Sequence, residues 1–161
     1  MITSRHTMRI KAFQALFQLT SNFRITEEEA IKNAITYSLD NSEGDDESTA
    51  LESILPIKNA DDKTIMDNHN YLTDLVNGVR KNQDFLDEMI EKRLKNWTIQ
   101  RIETTNLLIL RLATYELYFH EEIDPRIVIN EAIELTKHFN NDEASKFVNG
   151  VLQGILDAKE A

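Results

Sequence analysis

Residues 102–119 read Ile102-Glu-Thr-Thr-Asn-Leu-Leu-Ile-Leu-Arg-Leu-Ala-Thr-Tyr-Glu-Leu-Tyr-Phe119. At helical spacing, Leu107, Leu108, Ile109, Leu110, Leu112 and Ala113 point in nearly every direction around the axis. A helix that is apolar all round belongs at the centre of a domain, with other helices covering it. Arg111 and Glu116 lie inside this run, and buried charges need partners, so each is expected to pair with another helix or to line a groove.

Outward from this stretch the chain reads as helices. Asp124-Pro125 is an N-cap followed by an N1 proline, and it starts a helix that ends near Phe139. Another helix begins at Asn141 to Glu143 and runs towards Lys159. Upstream, Phe85, Leu86, Met89, Ile90 and Leu94 mark a helix over about 84–95. Ile65, Leu72, Leu75, Val76 and Val79 mark one over about 63–82. Thr26 and the acids Glu27, Glu28 and Glu29 suit the positive end of a helix that fades near Asp40. The first helix spans roughly Arg5 to Ser21, with Thr3 or Ser4 as its cap. The polar, acidic stretch over about 40–62 reads as a surface loop, with one short turn around Leu51 to Leu55. Gly78 and Gly150, each in a Val-Asn-Gly-Val sequence, are expected at close helix crossings. Together with Gly154, Gly150 places small residues four apart on one face of the last helix.

Composition agrees with this all-α reading. The chain has 161 residues, 41% hydrophobic and 29% charged, with four Gly and two Pro, too few for an all-β fold full of tight turns. It has no Cys, which excludes disulfides, thiolate nucleophiles and Cys-ligated zinc and is compatible with the cytoplasm. The longest unbroken apolar run, Leu107 to Leu110, is far too short to span a bilayer, and no signal-peptide pattern is present.

No catalytic constellation is legible. Glycine-rich phosphate loops, a G-x-S-x-G elbow and H-E-x-x-H are all missing. Glu131, Glu134 and His138 share a helical face, but Glu-x-x-x-His is the wrong spacing for a di-iron half-site, and an ordinary acid–His pair is the expected reading. No catalytic residue, metal or cofactor is therefore expected.

The net charge of -10 argues at first against nucleic acid. The charge is uneven, however. Residues 1–24 contain Arg5, Arg9, Lys11 and Arg24 and no acid, whereas 25–62 hold eleven acids against Lys32 and Lys58. With Arg5 at zero on a helical wheel, Arg9 falls near 40°, Leu16 near 20° and Phe13 near 80°. The two arginines thus continue the azimuth of the apolar stripe, and the N-terminal half of the helix is expected to overhang the core with cations. Arg5, His6 and Arg9 also lie at the helix end where cations are unfavourable. A local rule broken repeatedly at one place marks a functional site.

These segments together resemble the bacterial NusB family of transcription antitermination factors. The resemblance covers nearly the whole chain. It rests on Arg5-His-Thr-Met-Arg9 followed by Ala12-Phe-Gln-Ala-Leu-Phe17, on Tyr71-Leu-Thr-Asp-Leu-Val-Asn-Gly-Val79, and on Leu110-Arg-Leu-Ala-Thr-Tyr-Glu-Leu117. Its strongest pieces are Val128-Ile-Asn-Glu-Ala-Ile-Glu-Leu135 and Lys146-Phe-Val-Asn-Gly-Val-Leu152. It implies about seven helices in two perpendicular helical subdomains, here about 1–82 and 83–161, within one NusB-like domain and with no enzyme activity. It implies binding of boxA single-stranded RNA on nascent transcripts, notably of ribosomal RNA operons. The ribosomal protein NusE would bind with it, within an RNA polymerase antitermination complex. The family's arginine-rich motif maps onto Arg5, His6 and Arg9, with Thr7 where another Arg is often found. A second RNA-contact region maps onto Lys146 and Phe147, the latter as a stacking surface for an unpaired base or as core packing. The acidic stretch over 40–62 is longer than the corresponding family loop.

Two rivals stand beside this reading. One is a purely protein-binding helical scaffold, a monomer or a homodimer that covers its own basic helix. The other is an enzyme, as in ribosomal RNA methyltransferases that carry a NusB-like domain; that would need a second domain with a glycine-rich cofactor loop, for which 161 residues leave no room.

Overall fold

The computed structural model describes residues 4–22, 24–40, 62–95 and 98–161. The described residues form seven α-helices and no strand. These are α1 (Ser4–Ser21), α2 (Glu27–Asp40), α3 (Asp62–Lys81), α4 (Gln83–Glu91), α5 (Thr104–Phe119), α6 (Pro125–Phe139) and α7 (Asp142–Glu160), with a single 3-10 turn at Ile99–Arg101. The acidic stretch and its expected short turn lie outside the described residues, apart from the two helix ends that flank them. The chain divides into two compact units, Met1–Asn77 and Gly78–Ala161, so the boundary falls within α3. No described helix is long and apolar enough to cross a membrane.

In the first unit α1 packs on α2. Met8, Ala12, Phe13, Ala15, Leu16 and Leu19 of α1 are buried, as are Ala30, Ile31 and Ala34 of α2. Ala30 and Ala34, one turn apart, keep that face low, so the neighbouring backbone can approach closely. A capping box starts α2: the Glu29 backbone N–H donates to Thr26 Oγ1 at 3.1 Å, and Glu29 Oε2 accepts from the Thr26 N–H at 3.4 Å. Two donors that the helix itself leaves unpaired are thereby satisfied.

In the second unit α5 is the central element, packed by α4, α6 and α7. Leu108, Ile109, Leu110, Leu112, Ala113, Tyr115, Glu116 and Leu117 are all buried, as an all-round apolar helix requires. Arg111 has the partner its position demands. Its Nε donates to Asp87 Oδ1 at 2.7 Å and its Nη2 to Oδ2 at 2.9 Å, a two-pronged bridge from α5 to α4. Helix α4 is shorter than its periodicity suggests. Beyond Glu91 the chain tightens into i→i+3 bonds, Arg93 N–H to Ile90 and Leu94 N–H to Glu91, which satisfy the terminal carbonyls.

Both later caps are as the sequence indicates. The Asp124 carboxylate accepts from the Arg126 N–H at 2.9 Å ahead of Pro125. Hydrogen bonds from the Arg126 side chain and backbone hold that carboxyl below its usual value. Asn141 Oδ1 accepts from the Ala144 N–H at 2.8 Å.

The paired Val-Asn-Gly-Val segments behave differently. A Cβ on Gly78 would fall on the Tyr115 ring, so the missing side chain leaves the space that this ring fills. Gly150 has nothing within 4 Å of the same position, which corrects the expectation of a crossing. Gly154 meets only the flexible Arg93 side chain.

Gly78→Ala is expected to lower stability by about 1–3 kcal/mol by overpacking Tyr115. Gly150→Ala is expected to raise it by about 0.5–1 kcal/mol through helix propensity. Asp87→Ala, which strands the Arg111 guanidinium, is expected to cost about 1.5–3 kcal/mol. Urea unfolding followed by circular dichroism checks all three, and a Gly78→Ala protein as stable as the parent would contradict the packing described.

Candidate nucleic-acid interface

The two arginines of the first helix converge on one aromatic ring. Arg5 Cζ lies 4.7 Å from the centroid of Tyr71, a half-buried residue of α3. Arg9 Cζ lies 6.0 Å from the same centroid, and its Nη2 donates to the Tyr71 hydroxyl at 3.3 Å. The geometry follows from the helix repeat. Residues four apart project from one side, so one facing ring can receive both guanidinium groups, attracted by its negative face. The first turn of α1 contains no acid.

Burial divides the set. Arg5 is exposed and His6 half-buried. Arg9 is only 4% exposed, and Thr7 and Lys11 are buried with it. The expected cationic overhang therefore holds for Arg5 and in part for His6, and fails for Arg9. The Tyr71 hydroxyl is one of the groups that compensate the buried guanidinium for lost water. Thr7 sits at the helix face that packs inward, so this position presents no cation to solvent.

Lys146 and Phe147 lie in the second turn of α7, Lys146 exposed and Phe147 half-buried. The approach to this helix is fixed by Asn140, whose Nδ2 donates to Glu103 Oε2 at 2.7 Å and to Asn106 Oδ1 at 3.1 Å. Ser145 Oγ donates to the Asp142 carbonyl at 2.6 Å and further ties down the first turn. Asp142 and Glu143 precede Lys146 by one turn, so the cation stands in a mixed rather than a basic setting. The Phe147 ring is neither wholly in the core nor fully in water, which leaves part of it available for stacking.

Arg5, His6 and Arg9 thus form one group in the first unit, and Lys146 and Phe147 form another in the second. Tyr71 is the residue that sequence reading did not assign to the site. Its only signal was an aromatic hydroxyl next to the apolar stripe of α3, and its partner Arg9 is 62 residues away. Glu131, Glu134 and His138 form no metal site. Among the described residues no group of three His, Cys, Asp or Glu side chains could hold a metal ion.

The chain is similar to known proteins over nearly its whole length. A family model described as the NusB family matches residues 6–157. The transcription antitermination protein NusB of Bacillus subtilis (strain 168) is 40% identical over 151 residues, which is 94% of this chain and 93% of its own length. The protein of the same name from Lactiplantibacillus plantarum is 40% identical over 157 residues, 97% of this chain and 96% of its own. T. maritima NusB superposes with a TM-score of 0.70 at 28% identity, over 98% of this chain and 93% of that one. A crystal structure of the antitermination factors NusB and NusE in complex with double-stranded RNA gives a TM-score of 0.74 at 26% identity, over 98% and 99% of the two chains. With its all-helical fold and near-complete match in length, the chain belongs to the NusB family of transcription antitermination proteins, which are not enzymes.

Proposed function

We propose that this protein binds boxA-type single-stranded RNA on nascent transcripts, notably those of ribosomal RNA operons. It does so in the cytoplasm together with the ribosomal protein NusE, as part of an RNA polymerase antitermination complex. The observation that carries the reading is the seat of Arg5 and Arg9 on Tyr71, at a helix N-terminus free of acid. Two cations at the positive end of a helix are unfavourable by themselves, and a phosphate backbone relieves that repulsion. The NusB–NusE complex with double-stranded RNA supports binding of RNA and NusE by family relationship, while the single-strand assignment rests on the resemblance of the sequence.

The roles differ with burial. Arg5 and His6 meet phosphates directly. Arg9 holds the Tyr71 ring, which in turn orients Arg5, and adds its charge from beneath. Lys146 neutralises a phosphate and Phe147 stacks on an unpaired base. The chain carries a net charge of -10, so non-specific RNA binding is weak and NusE supplies much of the affinity.

Fluorescence anisotropy with a boxA-like strand, with and without NusE and across a salt series, tests the assignment. Arg5→Ala should lower affinity and reduce the magnitude of the log–log salt slope by about 0.7, the value for one single-strand phosphate contact. Phe147→Ala should weaken binding by about 1–3 kcal/mol with an unchanged salt slope, the mark of stacking rather than charge. Unchanged affinity and slope in Arg5→Ala would remove this residue from the interface. A duplex competing as well as the single strand would change the RNA class, and a stable dimer that ignores RNA would favour the scaffold reading.

A further inference from the structure

The residue that starts α5 breaks a local rule. Glu103 is the N-cap of this 16-residue helix, yet its carboxylate makes no capping bond to the first turn. A polar cap ordinarily accepts from an N–H two or three positions on. Here the side chain turns away, and its Oε2 accepts from Asn140 Nδ2 at 2.7 Å. The same nitrogen donates to Asn106 Oδ1 at 3.1 Å. One amide at the end of α6 thus holds a carboxylate and a second amide side by side, and each is left with one unused end. Among the described residues, Glu103 Oε1 has no donor and Asn106 Nδ2 has no acceptor. Asn106 is only 7% exposed, so its donor is costly to leave unpaired. Among the described residues Thr114 Oγ1 is the only side-chain atom sealed from solvent without a partner, so the Asn106 nitrogen reaches the surface.

An acceptor and a donor fixed by one common partner fit a ligand edge that carries a donor beside an acceptor. A phosphate offers acceptors alone and would face the Glu103 carboxylate, so it does not suit the pair. The edge of an unpaired base does. The bonds from Asn140 also set the start of α7, on whose second turn Phe147 shows part of its ring and Lys146 its cation. Splayed bases are read on their edges while they stack on rings of this kind. Uracil and guanine each present a ring N–H next to a keto oxygen. A carboxylate favours that N–H through a charge-assisted bond. Cytosine and adenine have a ring acceptor in its place, which a carboxylate repels.

The geometry points to a base-reading pair at the start of α5. Glu103 Oε1 accepts the ring N–H of one unpaired uracil or guanine, and Asn106 Nδ2 donates to the adjacent keto oxygen. Asn140 is the positioning residue for both. This inference rests on the proposed RNA binding and deepens it: Lys146 and Phe147 hold the strand, while Glu103 and Asn106 select the base. It also gives the acid beside an RNA-binding helix a task, because the carboxylate meets a base edge and not the backbone.

The test measures anisotropy of the full chain, with NusE present, on a boxA-like strand and on versions in which one uridine becomes cytidine or one guanosine becomes adenosine. At one position this exchange of a keto edge for an amino edge should weaken binding about tenfold, the size of one bidentate base contact. Glu103→Gln turns the acceptor into a donor at nearly constant shape. It should erase or reverse the preference at that position alone, with the thermal melt and the salt slope unchanged, since no phosphate contact is altered. Asn106→Asp keeps an oxygen for Asn140 and removes the donor, and should erase the preference too. A parent chain that discriminates at no position, or a preference that survives Glu103→Gln, would overturn the proposal. So would a Glu103→Gln chain that keeps its base preference and loses NusE, which would assign the pair to the protein partner. Failure of the RNA reading itself looks different: binding is absent, or indifferent to Arg5→Ala and Phe147→Ala. Failure of this inference alone leaves those two effects in place and only the base preference missing.

Discussion

The second unit depends on a single constraint: α5 is apolar around most of its axis and must be covered on several sides. Leu108, Ile109, Leu110, Leu112 and Leu117 surround its axis, so α4, α6 and α7 must each cover a side. Everything else in that unit is an adjustment to this requirement. Arg111 cannot reach bulk water freely and is matched by Asp87 on the covering helix. Tyr115 is driven inward and leaves space only for a glycine at position 78. The start of α7, with Lys146 and Phe147, is held by Asn140 to Glu103 and Asn106 at the beginning of the same central helix. The proposed RNA residues of this unit therefore take their placement from the hydrophobic core through a short chain of hydrogen bonds.

In the first unit the organising contact is polar. Tyr71 offers a ring face to Arg5 and a hydroxyl to Arg9, and the two guanidinium groups are partitioned by burial. One is kept in solvent, where it can meet a phosphate. The other is withdrawn, where its effect is to fix the ring. An arginine stripe on a helix is thus not a set of equivalent contacts, because desolvation gives each turn of the stripe a different task.

The net negative charge acquires a meaning from the first helix. Acid is absent from the start of α1, where RNA is proposed to bind. A small basic site on an acidic protein selects for a correctly placed phosphate rather than for polyanions in general.

The sequence by itself determined the helices and the family. Periodicity, the Thr26–Glu29 capping box, Asp124-Pro125 and Asn141 act over a few residues, so their consequences are readable locally. The all-round apolar character of 104–119 was enough to place that helix at a core. The helical wheel put Arg5 and Arg9 on one azimuth, but it could not say what faced them. Only the tertiary structure decided that the ring of Tyr71 faces them, that Arg9 is withdrawn from solvent, and that of two identical Val-Asn-Gly-Val segments one has its glycine covered by the Tyr115 ring and the other is open. The reason is range: burial and ring contacts depend on side chains tens of residues apart, and no local pattern encodes which of them meet.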